Sequence, residues 1–113
     1  MTSVVIAGYA RSPFHLAAKG DLARVRPDDL AAQVIRGLIG KTGIDAAEIE
    51  DVILGCAFPE GEQGLNVARM IALLADLPLS VGGMTVNRFC GSSMSAIHIA
   101  VGQIQIGAGD AFI

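Results

Sequence analysis

Charge is what this sequence has least of. Only 17% of its 113 residues are Asp, Glu, Lys or Arg, and none of these falls between Phe89 and Gly109. A small domain has a large surface relative to its volume and ordinarily needs many charges to cover it. With 52% hydrophobic residues and a mean hydropathy of +0.56, much of the chain is expected to pack against protein outside these 113 residues. A basic excess is also missing. Eight Lys and Arg stand against eleven Asp and Glu, a net charge of −3. That removes the electrostatic ground for a nucleic-acid or anionic-membrane partner.

Cysteine is nearly as scarce. Cys56 and Cys90 are the only two, too few for the framework of a disulfide-stapled secreted domain. The N-terminus lacks the basic, long apolar and small-residue pattern of a signal peptide, since Val4–Ala7 is too short. A reducing, cytoplasmic setting is therefore expected. Two cysteines and two histidines without close spacing make no zinc site, and no metal is expected. The pair Gly102 and Gly107 lacks the Lys-Ser/Thr of a phosphate-binding loop, and Gly107-Ala108-Gly109 does not follow a strand as a dinucleotide fingerprint would. Phe89–Gly109 has the length of a membrane span. Ser92, Ser93, Ser95, His98, Gln103 and Gln105 argue instead for a helix buried inside a protein, with no membrane span.

What is present alternates between two kinds of segment. Ser3–Tyr9 is a compact apolar run that reads as a strand buried on both faces, ended by Arg11-Ser12-Pro13-Phe14. Pro27-Asp28-Asp29 opens a helix, because proline suits its first position and the acids complement its positive end. Leu30, Val34, Ile35, Leu38 and Ile39 follow at helical spacing, and Gly40 and Gly43 supply the stop. Asp45–Glu48 resembles a capping box and predicts a short helical turn. Asp51–Ala57 reads as a second buried strand, with Cys56 as core packing, and Phe58–Leu65 as a loop. Asn66 is placed to cap a helix whose inward face is Val67, Met70, Ile71 and Leu74. Met84–Phe89 is a third strand, and Asp110–Ile113 the start of a fourth. The order strand, helix, strand, helix, strand, helix, strand predicts an α/β fold with a mostly parallel sheet. A chain ending within a strand suggests a fragment of a longer protein.

Met84–Ile106 organises the rest. A strand ends in Cys90, and Gly91-Ser92-Ser93 opens an uncharged helix that reads as buried on every side. The thiolate is the reactive form of cysteine, and amide N–H groups at a helix N-terminus favour it and offer donors to a developing oxyanion. Small residues beside it leave room for a substrate. From position alone, a nucleophile and a buried inert cysteine both remain open for Cys90. A nucleophilic cysteine needs a base. His98, eight residues on, lies about 12 Å further along the helix axis, and His15 reads as a surface residue. Asp28, Asp29, Glu48, Glu50 and Asp51 read as capping or solvated charges. The base is expected outside this chain.

The block Val86-Asn87-Arg88-Phe89-Cys90-Gly91-Ser92-Ser93-Met94-Ser95-Ala96 resembles the thiolase family, and is most similar to its degradative 3-ketoacyl-CoA members. The likeness also takes in Val4-Val5-Ile6 with Arg11-Ser12-Pro13-Phe14, then Arg26–Leu30, Gly55-Cys56 and Asn66-Val67-Ala68-Arg69. It departs at His15-Leu16, where many relatives carry glycine. The resemblance implies a thiolase-like fold, of which residues 1–113 are the N-terminal portion of the first core domain, with the second half and loop domain absent. It implies that Cys90 is the acylated nucleophile and that its backbone N–H serves the oxyanion hole. It also implies thiolytic cleavage of 3-ketoacyl-CoA by coenzyme A, a cosubstrate, with no permanently bound cofactor. The activating histidine and a second, acid/base cysteine have no counterpart here, so the chain alone is expected to be inactive. A homodimer or homotetramer, in some members joined to a hydratase/dehydrogenase subunit, is likewise implied. Three alternatives stay open: an acetyl-CoA C-acetyltransferase running in the condensing direction, a non-catalytic acyl-CoA-binding or assembly protein with this core, and a hydrolase or condensing enzyme using Cys90.

Overall fold

A computed structural model describes residues 1–113 and contains three α-helices and two parallel strands. In chain order these are α1 (Pro27–Thr42), β1 (Asp51–Gly55), α2 (Val67–Leu74), β2 (Gly82–Val86) and α3 (Ser92–Gln105). Strands β1 and β2 pair in parallel, with Asp51 opposite Gly82 and Gly55 opposite Val86. On the other side of β1 the last residues begin a third parallel partner. Ile113 donates to the Asp51 carbonyl at 3.1 Å, and Ile53 donates to the Ile113 carbonyl at 2.7 Å.

Successive side chains of a strand point to opposite faces, and β1 uses both. Val52 belongs to the main core and Leu54 packs against it, together with Ala32 and Ile35 of α1 and Val67, Ala68, Ile71 and Ala72 of α2. Ile53 is buried outside that cluster, and Gly55 faces the first turn of α3. The result is α1 and α2 on one face and α3 on the other. This is why Asp51–Gly55 reads as an unbroken apolar run rather than an alternating one.

Helix α1 begins at Pro27 as expected. Gly40 lies inside it, and Gly43 closes it in the left-handed conformation with its N–H on the Ile39 carbonyl at 2.8 Å. Asp28 is not a solvated charge. It is only 8% exposed and accepts two hydrogen bonds from the Arg26 guanidinium, at 2.9 and 3.1 Å, which hold its carboxyl below the usual range. Asp45 caps the turn Ala46–Glu48 through the N–H of Ala47 at 3.0 Å.

Four further expectations are corrected. Ser3–Tyr9 forms no strand, and Val5, Ile6 and Tyr9 are exposed. A strand exists only through a hydrogen-bonding neighbour, and no strand of this chain lies beside it. The segment is held by side chains instead, among them Lys41, which donates to the Tyr9 carbonyl at 3.1 Å and lies 4.4 Å from the Tyr9 ring centre. Helix α2 buries Val67 and Ile71 as expected, but its inward face is rotated away from the other two residues. Met70 and Leu74 are exposed while Ala68 and Ala72 are buried, because β2 comes so close that a Cβ on Gly83 would lie 2.4 Å from the Arg69 nitrogen. Asn66 does not cap α2. Its amide donates to the Gly83 carbonyl at 2.8 Å, and the Thr85 hydroxyl of β2 accepts the Ala68 N–H at 3.0 Å in its place. Helix α3 is not buried on every side. Only Ser92 and Ala96 are buried, and Met94, Ile97 and Val101 are exposed, since β1 and β2 cover a single face. The apolar surplus of the sequence thus lies on the surface of this chain. No helix is long and apolar enough to cross a membrane.

Asp51 also departs from its reading as a solvated charge. Its Oδ1 is buried without a hydrogen-bond partner, and a Cβ on Gly82 would lie 2.9 Å from it. Burial pushes this carboxyl above the usual carboxylate range. The folded state therefore keeps the proton to higher pH than the unfolded state does, and the stability this contributes at low pH is lost as pH rises through the folded value. Asp51→Asn is expected to raise the denaturation midpoint at pH 7, with the difference shrinking toward about pH 4, where the unfolded carboxyl also takes up its proton. Urea melts of both proteins at the two pH values check this, and a wild type more stable than the variant at pH 7 would refute it. Gly55→Ala places a Cβ 2.3 Å from the Ser93 nitrogen, a backbone atom that cannot swing aside. It is expected to destabilise the chain by about 1–3 kcal/mol, read from the same melts.

Candidate active site

Strand β2 ends at Val86, and α3 begins at Ser92, five intervening residues making the turn. Asn87 and Arg88 leave the strand, and Phe89–Gly91 form one 3₁₀ turn. The strand expected at Met84–Phe89 is thus displaced toward the N-terminus, to Gly82–Val86, and Cys90 sits in the turn itself. It is exposed and free in this chain. Cys56, also free, is buried at the end of β1.

The turn is tight because Phe89 adopts φ +44°, a left-handed conformation that L-residues with bulky side chains rarely occupy. Local hydrogen bonds hold it there. The Asn87 carboxamide oxygen accepts the Phe89 N–H at 2.9 Å. The Ser92 hydroxyl accepts the Arg88 N–H at 2.9 Å and donates to the Phe89 carbonyl at 2.6 Å. The Gly91 N–H donates to the Arg88 carbonyl at 3.0 Å. None of these bonds uses the N–H of Cys90. The Arg88 side chain runs over Gly91, about 3.6 Å from where a Cβ would stand.

Gly55 sets the height of this turn above the sheet. Its missing side chain lets β1 touch the backbone of Ser92 and Ser93 directly, so α3 starts against the strand rather than a side chain's width away. An exposed thiol is thereby placed at the N-terminal end of a 14-residue helix, where the amide dipoles favour negative charge. Chemically this arrangement offers a nucleophile and hydrogen-bond donors, and no base.

The histidines do not supply one. His98 lies on the exposed side of α3 and lines a shallow hollow with Asn87, Arg88, Met94 and Ser95, of which Cys90 is not part. His15 is exposed, with Asp21 at 3.9 Å. A second hollow, of about 320 Å³, opens between α1, α2 and the end of β1, lined by Asp28, Cys56, Phe58 and Gln63 among others. No cluster of three or more His, Cys, Asp or Glu side chains is placed to hold a metal ion.

Three residues that shape the turn were not singled out from sequence. Asn87 carried a signal, since Asn two residues before a kink is the pattern of an Asx turn. Gly55 inside a strand pattern signals a close backbone approach. Ser92 carried no signal that distinguishes it from Ser93 or Ser95, because only the folded turn shows which hydroxyl points inward.

Comparison with known proteins follows the same lines. Residues 4–113 match the family described as Thiolase, N-terminal domain. The chain is 50% identical over 111 residues to a 3-ketoacyl-CoA thiolase of Saccharophagus degradans and 48% identical over 110 residues to one of Acinetobacter baylyi. Each match covers 97% of this chain and 28% of the relative, so the chain spans less than a third of the curated relatives it matches. The crystal structure of the Bacillus anthracis acetyl-CoA acetyltransferase superposes with a TM-score of 0.88 at 36% identity, covering 96% of this chain and 27% of that one. An α/β chain whose parallel strands lead through a cysteine-bearing turn into a helix, matched over nearly its whole length, belongs to the thiolase family.

Proposed function

We propose that this chain supplies the nucleophile half of an acyltransferase active site, as the N-terminal portion of the first core domain of a thiolase. The observation that carries the reading is Cys90, exposed on a left-handed turn at the start of α3, in a chain that belongs to this family. In the forward reaction the Cys90 thiolate attacks the 3-keto carbon of a 3-ketoacyl-CoA. The carbonyl electrons move onto oxygen, where the N–H of Cys90 and the helix N-terminus favour the charge. As the carbonyl re-forms, the bond between the 2- and 3-carbons breaks. Its electron pair leaves on the acetyl-CoA fragment, which takes a proton from an acid outside this chain. An acyl-cysteine thioester remains. The thiol of a second coenzyme A, deprotonated by a base also outside this chain, attacks it and releases a shortened acyl-CoA and the Cys90 thiolate. Coenzyme A is a cosubstrate here, and no bound cofactor or metal enters these steps.

A second reading has its own support. The structural relative is named an acetyl-CoA acetyltransferase, and the same cysteine run in reverse, acylated by acetyl-CoA, would condense two acetyl groups. Both directions place the thioester on Cys90. A non-catalytic acyl-CoA-binding protein with this core would form none. Two free cysteines suit the reducing, cytoplasmic setting we assign to the whole enzyme, and the exposed apolar face of α3 suits a larger assembly, in keeping with a homodimer or homotetramer.

Mass spectrometry of the full-length protein after exposure to a short acyl-CoA is expected to show an acyl adduct on Cys90, abolished in Cys90→Ala along with turnover. An adduct elsewhere, or active protein that forms none, would sink the assignment. Residues 1–113 alone are expected to show no CoA-dependent thiolysis, because no base stands beside Cys90. Measurable turnover by the pure chain would contradict that.

A further inference from the structure

A peptide unit is rigid and planar, so its carbonyl and its N–H point in opposite directions. The carbonyl of Phe89 and the N–H of Cys90 belong to the same unit. Whatever grips the Phe89 carbonyl therefore aims the Cys90 N–H. Ser92 grips that carbonyl twice, through its backbone N–H, which closes the turn, and through its hydroxyl at 2.6 Å. Ser92 is 3% exposed, while Phe89 and Cys90 are exposed. The same hydroxyl accepts the Arg88 N–H at 2.9 Å, so it uses donor and acceptor at once and has no freedom to rotate. The Asn87 carboxamide fixes the N–H on the other side of Phe89 at 2.9 Å. Between them they hold an aromatic residue at φ +44°, a conformation that persists only when its surroundings impose it. Gly55 gives the hydroxyl its place, because the backbone of Ser92 rests directly on β1.

We infer that Ser92 is a positioning residue for the reaction: through the Phe89 carbonyl it orients the Cys90 N–H toward the oxyanion that forms when Cys90 attacks a thioester or ketone, with Asn87 as its second clamp. The inference rests on Cys90 being the nucleophile. Ser92 touches no substrate. Its effect passes through one peptide plane, so its loss costs transition-state stabilisation rather than substrate binding or thiol exposure.

The test compares two reactions of Cys90 in the full-length enzyme. Thiolysis develops an oxyanion, whereas alkylation by iodoacetamide is a displacement at saturated carbon and develops none. Ser92→Ala removes the hydroxyl and keeps the backbone N–H bond, so it is expected to lower kcat by about tenfold, the cost of one oxyanion donor left loosely aimed. KM for the 3-ketoacyl-CoA and the alkylation rate of Cys90 should stay within about threefold of wild type, because an interaction made only in the transition state is what was removed. Should Ser92→Ala not fold, Asn87→Ala at an exposed position loosens the same unit and is expected to lower kcat about tenfold with the same split. An unchanged kcat would overturn the inference. So would a parallel fall of kcat and alkylation rate, which would mark general disorder of the turn. Turnover retained by Cys90→Ala is a separate result, and would remove the nucleophile reading itself.

Discussion

The contact between Gly55 of β1 and the first turn of α3 is the constraint on which the rest of this structure depends. A side chain at that point would collide with the backbone of Ser92 and Ser93, and with its absence the helix starts directly against the central strand. Packing at the distance of backbone on backbone leaves no room for slack. The turn from β2 into α3 is consequently short and left-handed at Phe89, and it lifts Cys90 out of the sheet. A similar economy of space governs the other face, where Gly83 admits α2 and buries Ala68 and Ala72 rather than the larger Met70 and Leu74.

Polar groups follow from this closeness. A helix N-terminus pressed against a strand has its first N–H groups out of reach of water, and they must find partners in the protein. At α2 the partner is Thr85, reaching across from β2. At the turn before α3 it is Ser92, which serves the Arg88 N–H. Asp51 is the exception, a carboxylate oxygen buried at the head of β1 without a partner. Its cost is tolerated beside a sheet that is otherwise well paired.

Element types were legible in the sequence wherever a local rule decides them. Pro27 with two acids starts α1 and Gly43 ends it, because a missing N–H and a left-handed cap are properties of single residues. The run Asp51–Ala57 reads as a buried strand, and a strand covered on both faces forms over its first five residues, Asp51–Gly55. Cys90 stood out because a thiol after a strand and before an uncharged helix is a pattern of neighbours in the chain. Ser3–Tyr9 has the same composition as β1 and no ladder, since pairing depends on a partner that composition does not name. On α2, Val67 and Ile71 are buried as read, while Met70 and Leu74 were misjudged for a related reason. Side-chain size ranks Met70 above Ala68, while the glycine across the gap favours Ala68.

Sequence by itself determined the family, the α/β alternation and the place of Cys90 between a strand and an uncharged helix, all of which rest on residue types at short separations. Tertiary structure decided which faces are covered, which hydroxyl grips the turn, and that Cys90 is exposed in this chain. These depend on residues far apart in the chain, Gly55 with Ser93 and Asn66 with Thr85. Their distances are set by how closely two backbones approach, and that is a property of no single segment.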